Sequence, residues 1–482
     1  MNTRSVFHLI SYLIYMIAGA IGLSALVGLA YGDGQDVVLR MFASALIAGG
    51  LGGLLGFFTR GPVDLTRKDG FAIVTLGWLV VAHIGAIPYL MTGAIAHPID
   101  AFFETISGFT TTGSTILTDI EILPRGVIFW RSLTQWLGGM GVLLLCVAIL
   151  PFLGVGGMQL YRAEMPGPSK DRLTPRIANT AKLLYGVYVL ITLLETLALM
   201  AAGMSFFDAI NHSLTTMSTG GFSPHNDSIA HFNSPAITLI ISFFMLLGGI
   251  NFALHFRALR GDFRGYWRST EVKLYLAILL GATLLIAVDL MSQMNLSAGD
   301  SLLAAVFQSI SITTTTGFAT EDFDLWPLFS RTLLFILLFS GGCAGSTAGG
   351  IKLMRTLVVF KECARQIRLF MQPQAVLKVR LDGQSVNPAI VSSIVSFYIC
   401  YFFLFGFFTL LISLFSEDLL TAGSAVIACI SNVGPGFSMV GATENFAHFG
   451  NVPKILLSFC MLLGRLELFT VLVMFSPSFW KR

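Results

Sequence analysis

The sequence predicts an all-α membrane protein with ten transmembrane helices and four shorter helices that enter the membrane and turn back. Composition is the first reason: 55% of the 482 residues are apolar and only 11% are charged, which is typical of a chain that lies mostly within a bilayer. Length is the second reason, because ten apolar segments approach the roughly 20 residues that a helix needs to cross a bilayer. The third reason is a set of four shorter apolar runs that end in hydroxyl residues and glycine.

The ten long segments are distributed over the whole chain. The first is too long for the apolar region of a signal peptide and lacks a convincing cleavage site, so we expect it to be retained as a helix. The segments cover residues 7–30, 38–58, 71–93, 126–152, 181–203, 236–256, 274–294, 331–360, 389–415 and 453–475.

Basic residues indicate the orientation of these helices. If the N-terminus is cytoplasmic, most lysines and arginines fall in the cytoplasmic connections, which is the usual distribution in membrane proteins. The basic stretch from Lys352 to Arg380 could also contact anionic lipid or a cytosolic partner. We therefore predict a multi-pass protein with both termini in the cytoplasm.

A repeated unit begins near residue 70 and occurs four times: a long helix, a short helix, a glycine-centred turn and a second long helix. Four copies of one unit can close a single pore with pseudo-fourfold symmetry, and the first two helices stand outside this repeat. The second long helices carry a glycine pair or its variant, at Gly138-Gly139, Gly248-Gly249, Gly341-Gly342 and Gly464-Arg465. The predicted units are an N-terminal two-helix segment and pore repeats 1 to 4, at residues 1–69, 70–152, 153–258, 259–380 and 381–482.

The four glycine-centred turns are the first candidate site. Glycine allows backbone dihedrals that expose successive carbonyl oxygens, and a ring of carbonyls can replace the hydration shell of a cation. A single such turn is usually only a helix C-cap, but four turns at equivalent places predict a cation filter. We align the glycines at Gly113, Gly220, Gly317 and Gly434. The candidate ligands are Thr111, Thr112, Gly113, Ser218, Thr219, Gly220, Thr315, Thr316, Gly317, Asn432, Val433 and Gly434.

With these turns, the chain resembles the Trk/Ktr/HKT superfamily of potassium transporters, and within it the TrkH type, over essentially its whole length. Glycine at all four filter positions is associated there with potassium permeation, whereas a serine in the first repeat marks a sodium-favouring plant branch. The resemblance implies a homodimer with one pore per protomer in a bacterial-type inner (plasma) membrane. It also implies a TrkA-like cytosolic ring of nucleotide-binding regulatory subunits. Potassium ion and membrane lipid are the expected ligands, and no nucleic-acid partner is expected.

The second candidate site is the segment 340–350, which has five glycines among its eleven residues. Glycine disfavours helix by about 1 kcal/mol per residue, so this segment should interrupt the second long helix of repeat 3. Irregular backbone at membrane depth is tolerated only where protein buries it or where it lines a wet cavity. The alternative is a small-residue face for helix packing. In the superfamily that the chain resembles, the equivalent segment is an intramembrane gate loop. The candidate gate residues are Gly341, Gly342, Gly345, Ser346, Thr347, Gly349, Gly350, Lys352 and Arg465.

Arg465 is interpreted as the only basic residue deep within an apolar segment. A charge at bilayer depth costs about 2.5–3.5 kcal/mol on insertion scales, so it usually faces a cavity or a partner. We expect it to lie near the gate loop and to set an electrostatic barrier to cations. The alternative is a structural salt bridge with Glu467 or Glu195.

Three functional classes compete at this point. The leading one is channel-like potassium uptake that an intramembrane loop gates, and the second is an ion-coupled secondary transporter with broken helices, in which H⁺ or Na⁺ accompanies potassium. The third is an intramembrane enzyme that uses His83, His212 or His225. The sequence contains neither an H-E-x-x-H nor a G-x-S-x-G motif, so we expect no enzymatic activity.

Overall fold

The structure is a computed structural model that describes residues 2–61, 66–148 and 173–480. The predicted boundary between repeats 1 and 2, at residues 152–153, lies outside this part, as do the last residues of the predicted segment 126–152. The described helices are α1 (Thr3–Ala30), α2 (Gln35–Phe58), α3 (Arg67–Thr92), α4 (Pro98–Phe109), α5 (Arg125–Ala148), α6 (Leu173–Ala201), α7 (Phe206–Met217), α8 (Pro235–Gly248), α9 (Phe252–Leu259), α10 (Arg264–Arg268), α11 (Thr270–Gln293), α12 (Ala298–Thr313), α13 (Leu328–Leu337), α14 (Leu353–Met371), α15 (Pro388–Ile412), α16 (Leu419–Ile430), α17 (Asn451–Arg465), α18 (Leu468–Leu472) and α19 (Pro477–Trp480).

Apolar helices of membrane-spanning length dominate the described chain. Six of them, α1, α2, α3, α6, α11 and α15, are long and apolar enough to cross a membrane. Two further spans are helix pairs with a sharp bend, α8–α9 and α17–α18, and α5 together with the interrupted pair α13–α14 completes the ten predicted segments. Large apolar side chains on these helices face outwards, as Leu46 and Phe58 do at 77% and 70% exposure. The prediction of an all-α multi-pass membrane protein is confirmed.

The N-terminal helices α1 and α2 pack on each other and on repeat 1. Glycine makes their close approach possible, since a Cβ on Gly52 would lie 3.2 Å from the Ile14 side chain. The connection between them caps the N-terminus of α5, because the Asp33 carboxylate accepts hydrogen bonds from the backbone N–H groups of Arg125 and Gly126, at 3.0 and 2.8 Å. A carboxylate at this place satisfies free donors and complements the helix dipole.

Each repeat contributes one short pore helix: α4, α7, α12 and α16. Side chains cap the N-termini of α7, α12 and α16, as Ser205 does for the Asp208 N–H at 3.1 Å and Asp418 for the Thr421 N–H at 2.7 Å. The fourth, α4, has no side-chain cap and begins instead with Pro98. Every residue of α16 from Thr421 to Ile430 is buried. A helix that is buried on all sides is enclosed by protein, so the long helices separate this pore helix from lipid.

The predicted spans 236–256 and 453–475 are both present, but each is a pair of helices with a sharp bend between them. The axis turns by 102° between α8 and α9 and by 115° between α17 and α18. At the first bend, the Asn251 side chain accepts a hydrogen bond from the Ala253 N–H at 2.8 Å and starts a new helix. At the second, Glu467 adopts φ +59°, which an α-helix does not allow. The interruption predicted in repeat 3 does occur, between Leu337 and Leu353.

Among the described residues, the only β-structure is a small antiparallel hairpin. It pairs β1 (Arg380–Leu381) with β2 (Gln384–Ser385) in the connection between repeats 3 and 4. Neighbouring Val379 belongs to a small apolar cluster with Val358 of α14 and Ile390 of α15. The hairpin therefore ties the N-terminal half of α14 to the start of repeat 4.

Candidate functional site

The four pore helices end in the same hydrogen-bonded turn. In repeat 1, the Thr111 N–H donates to the Gly108 carbonyl and the Thr112 N–H donates to the Ser107 carbonyl, both at 2.9 Å. The same two bonds, three and five residues back along the chain, recur in the other three repeats. The first residue of each turn lies in the left-handed region although it is not glycine, with φ of 51°, 55°, 59° and 57° at Thr111, Thr219, Thr315 and Asn432.

A glycine follows two residues later in each turn, again with positive φ. These φ angles are 88°, 78°, 82° and 102° at Gly113, Gly221, Gly317 and Gly434. Left-handed backbone of this kind favours glycine, which carries no Cβ. In each turn two left-handed residues flank one residue that is not left-handed, and all four repeats share this pattern.

The four turns close a ring around one axis. At each of the four glycines, an added Cβ would collide with a carbonyl oxygen of the next repeat, and the series runs from repeat 1 to 2, 2 to 3, 3 to 4 and 4 back to 1. The four pairs are Gly113 with the Gly220 carbonyl, Gly221 with Thr316, Gly317 with Val433, and Gly434 with Thr112. The arrangement brings together backbone carbonyls from all four repeats, which is the kind of ligand that a dehydrated monovalent cation can use.

The alignment of Gly220 with the other three glycines is wrong by one residue. Gly221 has the positive φ and lines the same cavity as Gly113, Gly317 and Gly434, whereas Gly220 occupies the middle position that Thr112 holds in repeat 1. The predicted Ser218 accordingly corresponds to Thr110 and precedes the ring. Two adjacent glycines made the register ambiguous in the sequence, and hydrogen bonding of the turn resolves it.

Polar side chains hold the ring from behind. Asn432 donates through its amide to the Thr112 hydroxyl at 3.0 Å and to the Met461 carbonyl at 2.9 Å, so it links repeat 4 to repeat 1. Ser114 donates to the Gly434 carbonyl at 3.0 Å, which is a second link between the same repeats. All of these groups are buried, where satisfied hydrogen bonds fix one geometry.

A buried ion pair beside the ring escaped the sequence analysis. Arg131 is 2% exposed and donates to the fully buried Glu104 carboxylate at 2.6 Å, and its guanidinium stacks 3.8 Å from the Phe222 ring centre. The expectation that Arg465 is the only deeply placed basic residue is therefore wrong. The signal was available, because Arg131 lies inside the apolar segment 126–152 and a buried charge requires a partner.

A cavity lies on one side of the ring. The four ring glycines line its floor. Its walls come from the loops that follow each turn in repeats 1, 2 and 4, with the polar side chains of Ser114, Arg131, Asn226, His225 and Glu444 among the lining residues. A polar, open approach of this kind suits a hydrated ion that arrives at the ring.

The interrupted segment 340–350 lies on the opposite side of the ring and contacts three of the repeats. The Thr347 hydroxyl donates to the Met217 carbonyl at 2.9 Å, the Gly349 N–H donates to the Thr315 hydroxyl at 2.7 Å, and the Gly350 N–H donates to the Ser431 carbonyl at 2.8 Å. These three acceptors lie at the start of the turns in repeats 2, 3 and 4. The segment therefore covers the ring from below and is buried by protein.

The bend of repeat 2 supplies the wall against which this segment folds. The Cys343 N–H donates to the Gly249 carbonyl at 2.8 Å, and the Phe252 N–H donates to the Gly345 carbonyl at 3.1 Å. The buried Glu271 carboxylate accepts from the Ala344 N–H at 2.7 Å. Because Gly341, Gly345 and Gly350 all have positive φ, of 72°, 79° and 70°, the glycines of the segment are required by its conformation.

Arg465 reaches this segment from repeat 4. Its guanidinium donates to the Thr347 carbonyl at 2.8 Å and to the Gly138 carbonyl at 3.4 Å, so it joins the segment to repeats 1 and 4. Glu467, the partner considered for a salt bridge, lies 2.6 Å from Arg355 and 3.6 Å from Lys352. Lys352 itself has φ +68° at the start of α14.

Two of the histidines considered as catalytic groups, His212 and His83, are held by local contacts. His212 is fully buried in α7, where its ring nitrogens lie 2.8 Å from the Asp208 carbonyl and 3.1 Å from the Ser223 hydroxyl. His83 lies 2.7 Å from the Leu79 carbonyl. These contacts give His212 a structural role between the pore helix and the loop that follows its turn.

Comparison with known proteins gives matches over the whole chain. A family model described as TrkH, cation transport protein, matches residues 36–482. The chain is 41% identical over 487 residues to the Trk system potassium uptake protein TrkH of Salmonella typhimurium, with full coverage of both chains. It is 36% identical over 491 residues to the Trk system potassium uptake protein TrkG of Escherichia coli, again with full coverage. The crystal structure of the potassium transporter TrkH from Vibrio parahaemolyticus matches with a TM-score of 0.92 and 36% identity over 100% of both chains.

Proposed function

Because the chain belongs to the TrkH family of cation transport proteins, we propose that it takes up potassium through a pore whose filter is the ring of four turns. The family consists of transport proteins and not of enzymes. The relatives at 41% and 36% identity are named potassium uptake proteins. We assign the protein to the inner (plasma) membrane with both termini in the cytoplasm, as the distribution of its basic residues suggests.

The ring is the observation that carries this proposal. Four left-handed glycines each face a carbonyl oxygen of the next repeat, so the carbonyls come from all sides of one axis. Carbonyl oxygens suit a large, weakly hydrated monovalent ion, because they replace its water without a formal charge that would hold it. A negative membrane potential would supply about 2.3 kcal/mol per charge for each 100 mV.

The segment 340–350 is the proposed gate. It covers the ring from below, and Arg465 places a positive charge beside it. An ion that leaves the ring towards the cytoplasm would meet both the covering backbone and the guanidinium. Movement of α14, which continues directly from the segment, would remove this obstacle.

A cytosolic nucleotide-binding regulatory ring is the proposed partner that moves α14. The support lies in the exposed, basic surface of α14 and the hairpin that follows it, with exposed Phe370 and Met371 at 87% and 82% at the end of the helix. A homodimer with one pore per protomer is proposed with it. The alternative mechanism is an ion-coupled transporter in which H⁺ or Na⁺ accompanies potassium. The broken helices α8–α9 and α17–α18 would suit this mechanism.

Growth rescue tests the function. Cells that lack their own potassium uptake systems should grow at low external potassium when they express this chain, and growth should improve with a cognate regulatory subunit. Absence of rescue by a protein that reaches the membrane would overturn the proposal. Unitary currents in patched membranes would favour the channel, whereas slow, saturable exchange would favour the ion-coupled transporter.

A further inference from the structure

The turn of repeat 2 differs from the other three in one missing side chain. Gly220 occupies the middle position of the turn, where the other repeats have Thr112, Thr316 and Val433. The place of the absent side chain is filled by Gln135 of α5, because a Cβ on Gly220 would collide with the amide of Gln135. A side chain of repeat 1 thus completes the turn of repeat 2.

Gln135 forms hydrogen bonds with the residues on both sides of the left-handed glycine of this turn. Its amide nitrogen donates to the Gly220 carbonyl at 2.7 Å, and its amide oxygen accepts from the Phe222 N–H at 3.0 Å. A carbonyl can only accept and an N–H can only donate, so these two partners fix the orientation of the amide. Gln135 is fully buried, and Gly221 lies between the two bonded groups.

These two hydrogen bonds hold the part of the ring whose backbone has the greatest conformational freedom. Two successive glycines lose more conformational entropy on ordering than any other residue pair. The carbonyl of Gly220 is also the one that faces Gly113 of repeat 1. Without an external hold, this carbonyl would be the first of the ring to rotate away from its position.

The other three repeats have a different type of residue at the position that corresponds to Gln135. Three residues before the first glycine of each glycine pair, where repeat 1 has Gln135, the long helices have Met245, Leu338 and Met461. Met461 illustrates this arrangement, since Asn432 bridges its carbonyl to the Thr112 hydroxyl. By position in the repeat, an apolar residue therefore corresponds to each ring residue that has its own side chain, whereas Gln135 corresponds to the glycine.

We propose that Gln135 is a positioning residue of the ring: it holds the Gly220 carbonyl at the place that selection of potassium over sodium requires. The inference rests on the proposed function, because it assigns part of the selectivity of that same ring to a residue outside it. Gln135 acts through the repeat 2 backbone, and the Gly220 carbonyl is the group that would face the ion.

A swap of residue pairs tests this inference. Gln135→Met with Gly220→Thr reproduces the pair that the chain has at Met461 and Thr112. Potassium and sodium uptake, measured in cells that lack their own potassium uptake systems, give the selectivity ratio and separate KM from maximal rate. Gln135→Met alone should lower the potassium-to-sodium ratio about fivefold or more, the factor that corresponds to loss of one buried hydrogen bond. Gly220→Thr alone should abolish uptake, and the double variant should regain it.

Gln35 is exposed, so Gln35→Met is the matched control and should keep wild-type potassium uptake and a wild-type ratio of potassium to sodium uptake. A wild-type ratio in Gln135→Met, or wild-type uptake in Gly220→Thr, would overturn the inference. Failure of the wild-type chain to take up potassium would instead overturn the proposed function. In that case the melting temperature of the purified protein still tests the packing of Gln135 against Gly220. Gly220→Thr should have a lower melting temperature than wild type, and the double variant should have a higher one than Gly220→Thr. Additive losses of melting temperature in the double variant would contradict this packing.

Discussion

The ring and the layer beneath it are built from the same four repeats, yet only the ring retains their symmetry. All four turns share two hydrogen bonds, two left-handed residues and one contact with the next repeat. In the layer beneath, the helix of repeat 1 is continuous, those of repeats 2 and 4 bend by 102° and 115°, and that of repeat 3 opens between Leu337 and Leu353. The ring is therefore uniform, whereas the second long helices take three different forms: continuous in repeat 1, bent in repeats 2 and 4, and interrupted in repeat 3.

This difference separates a fixed site from a variable one. The ring is fixed by turn backbone, by a buried ion pair and by side chains that bridge adjacent repeats. The segment 340–350 is held by single hydrogen bonds to carbonyl and hydroxyl groups, each of which contributes only about 0.5–1.5 kcal/mol. Its bonds to the charged Arg465 and Glu271 contribute about 1.5–3 kcal/mol each. Changes behind the ring should therefore cost stability, whereas changes at the segment should alter the rate of transport.

The largest effect is expected when the ion pair behind the ring is broken. Glu104→Ala leaves the Arg131 guanidinium buried and without its carboxylate, which should lower the free energy of unfolding by about 3–5 kcal/mol. Chemical or thermal unfolding of the purified protein in detergent measures this loss.

Two variants control for this prediction. Asp36→Ala removes the exposed Asp36–Arg40 pair of α2 and should cost no more than about 0.5 kcal/mol. Replacement of both buried partners, Glu104→Leu with Arg131→Met, should cost less than Glu104→Ala because no lone charge remains. Equal losses from the exposed and the buried pair would contradict the role given to Glu104.

The next largest effect is expected at the four ring glycines. Serine at Gly113, Gly221, Gly317 or Gly434 would place a Cβ against a carbonyl of the next repeat and force a left-handed conformation that costs about 1–2 kcal/mol. Each variant should lower potassium preference over sodium about tenfold or more, or abolish uptake. Radioactive rubidium uptake with sodium as competitor measures this change.

Gly281 provides the comparison for these substitutions. It lies in α11 with nothing within 4 Å of an added Cβ, so Gly281→Ser should transport like wild type. Gly221→Ser is the decisive case, because the corrected register predicts that it behaves like Gly113→Ser. Wild-type selectivity in Gly221→Ser would restore the original alignment on Gly220.

The sequence predicted the uniform region well and the asymmetric region poorly, for physical reasons. Turn chemistry is local, so four glycines after four short apolar helices sufficed to predict the turns. Gly220 and Gly221 are adjacent and chemically identical, so only backbone conformation could distinguish them. The bend at Asn251 depends on a hydrogen bond between the Phe252 N–H and Gly345, almost a hundred residues away along the chain, and local composition does not reveal such a contact.

Arg465 could be predicted from the sequence only in part. Its location beside the segment 340–350 was predicted from the slot it fills in the repeat. Its partners, the carbonyls of Thr347 and Gly138, were not predictable, because any carbonyl can accept from a guanidinium. Arg131 was not predicted, because its partner Glu104 lies 27 residues away along the chain, in the pore helix of the same repeat.

A smaller effect is expected at Arg465. Arg465→Ala removes the hydrogen bond to Thr347 and the positive charge beside the segment. The maximal rate of potassium uptake should therefore rise severalfold, because the closed segment loses a charge-assisted hydrogen bond. Arg465→Lys keeps the charge and should raise the rate less. Transport with wild-type affinity and rate in Arg465→Ala would contradict the barrier assigned to this residue.

The smallest effect concerns a loop within repeat 3, between its turn and α13, on the side of the cavity. Burial, together with the nearby charges of Asp322 and Glu444, raises the pKa of Asp324 to about 6; its carboxylate accepts a hydrogen bond from the Ser438 N–H at 2.9 Å. A carboxyl with a raised pKa stabilises the folded state when protonated, and this stability is lost as the pH rises from about 4 through 6. Asp324→Asn keeps an acceptor without the charge, so its melting temperature should exceed that of wild type above pH 6 and approach it near pH 4. Glu417→Gln, an exposed substitution in another loop, should have the melting temperature of wild type at every pH. A difference in melting temperature between Asp324→Asn and wild type that does not change with pH would show that burial of the charge is not the cause.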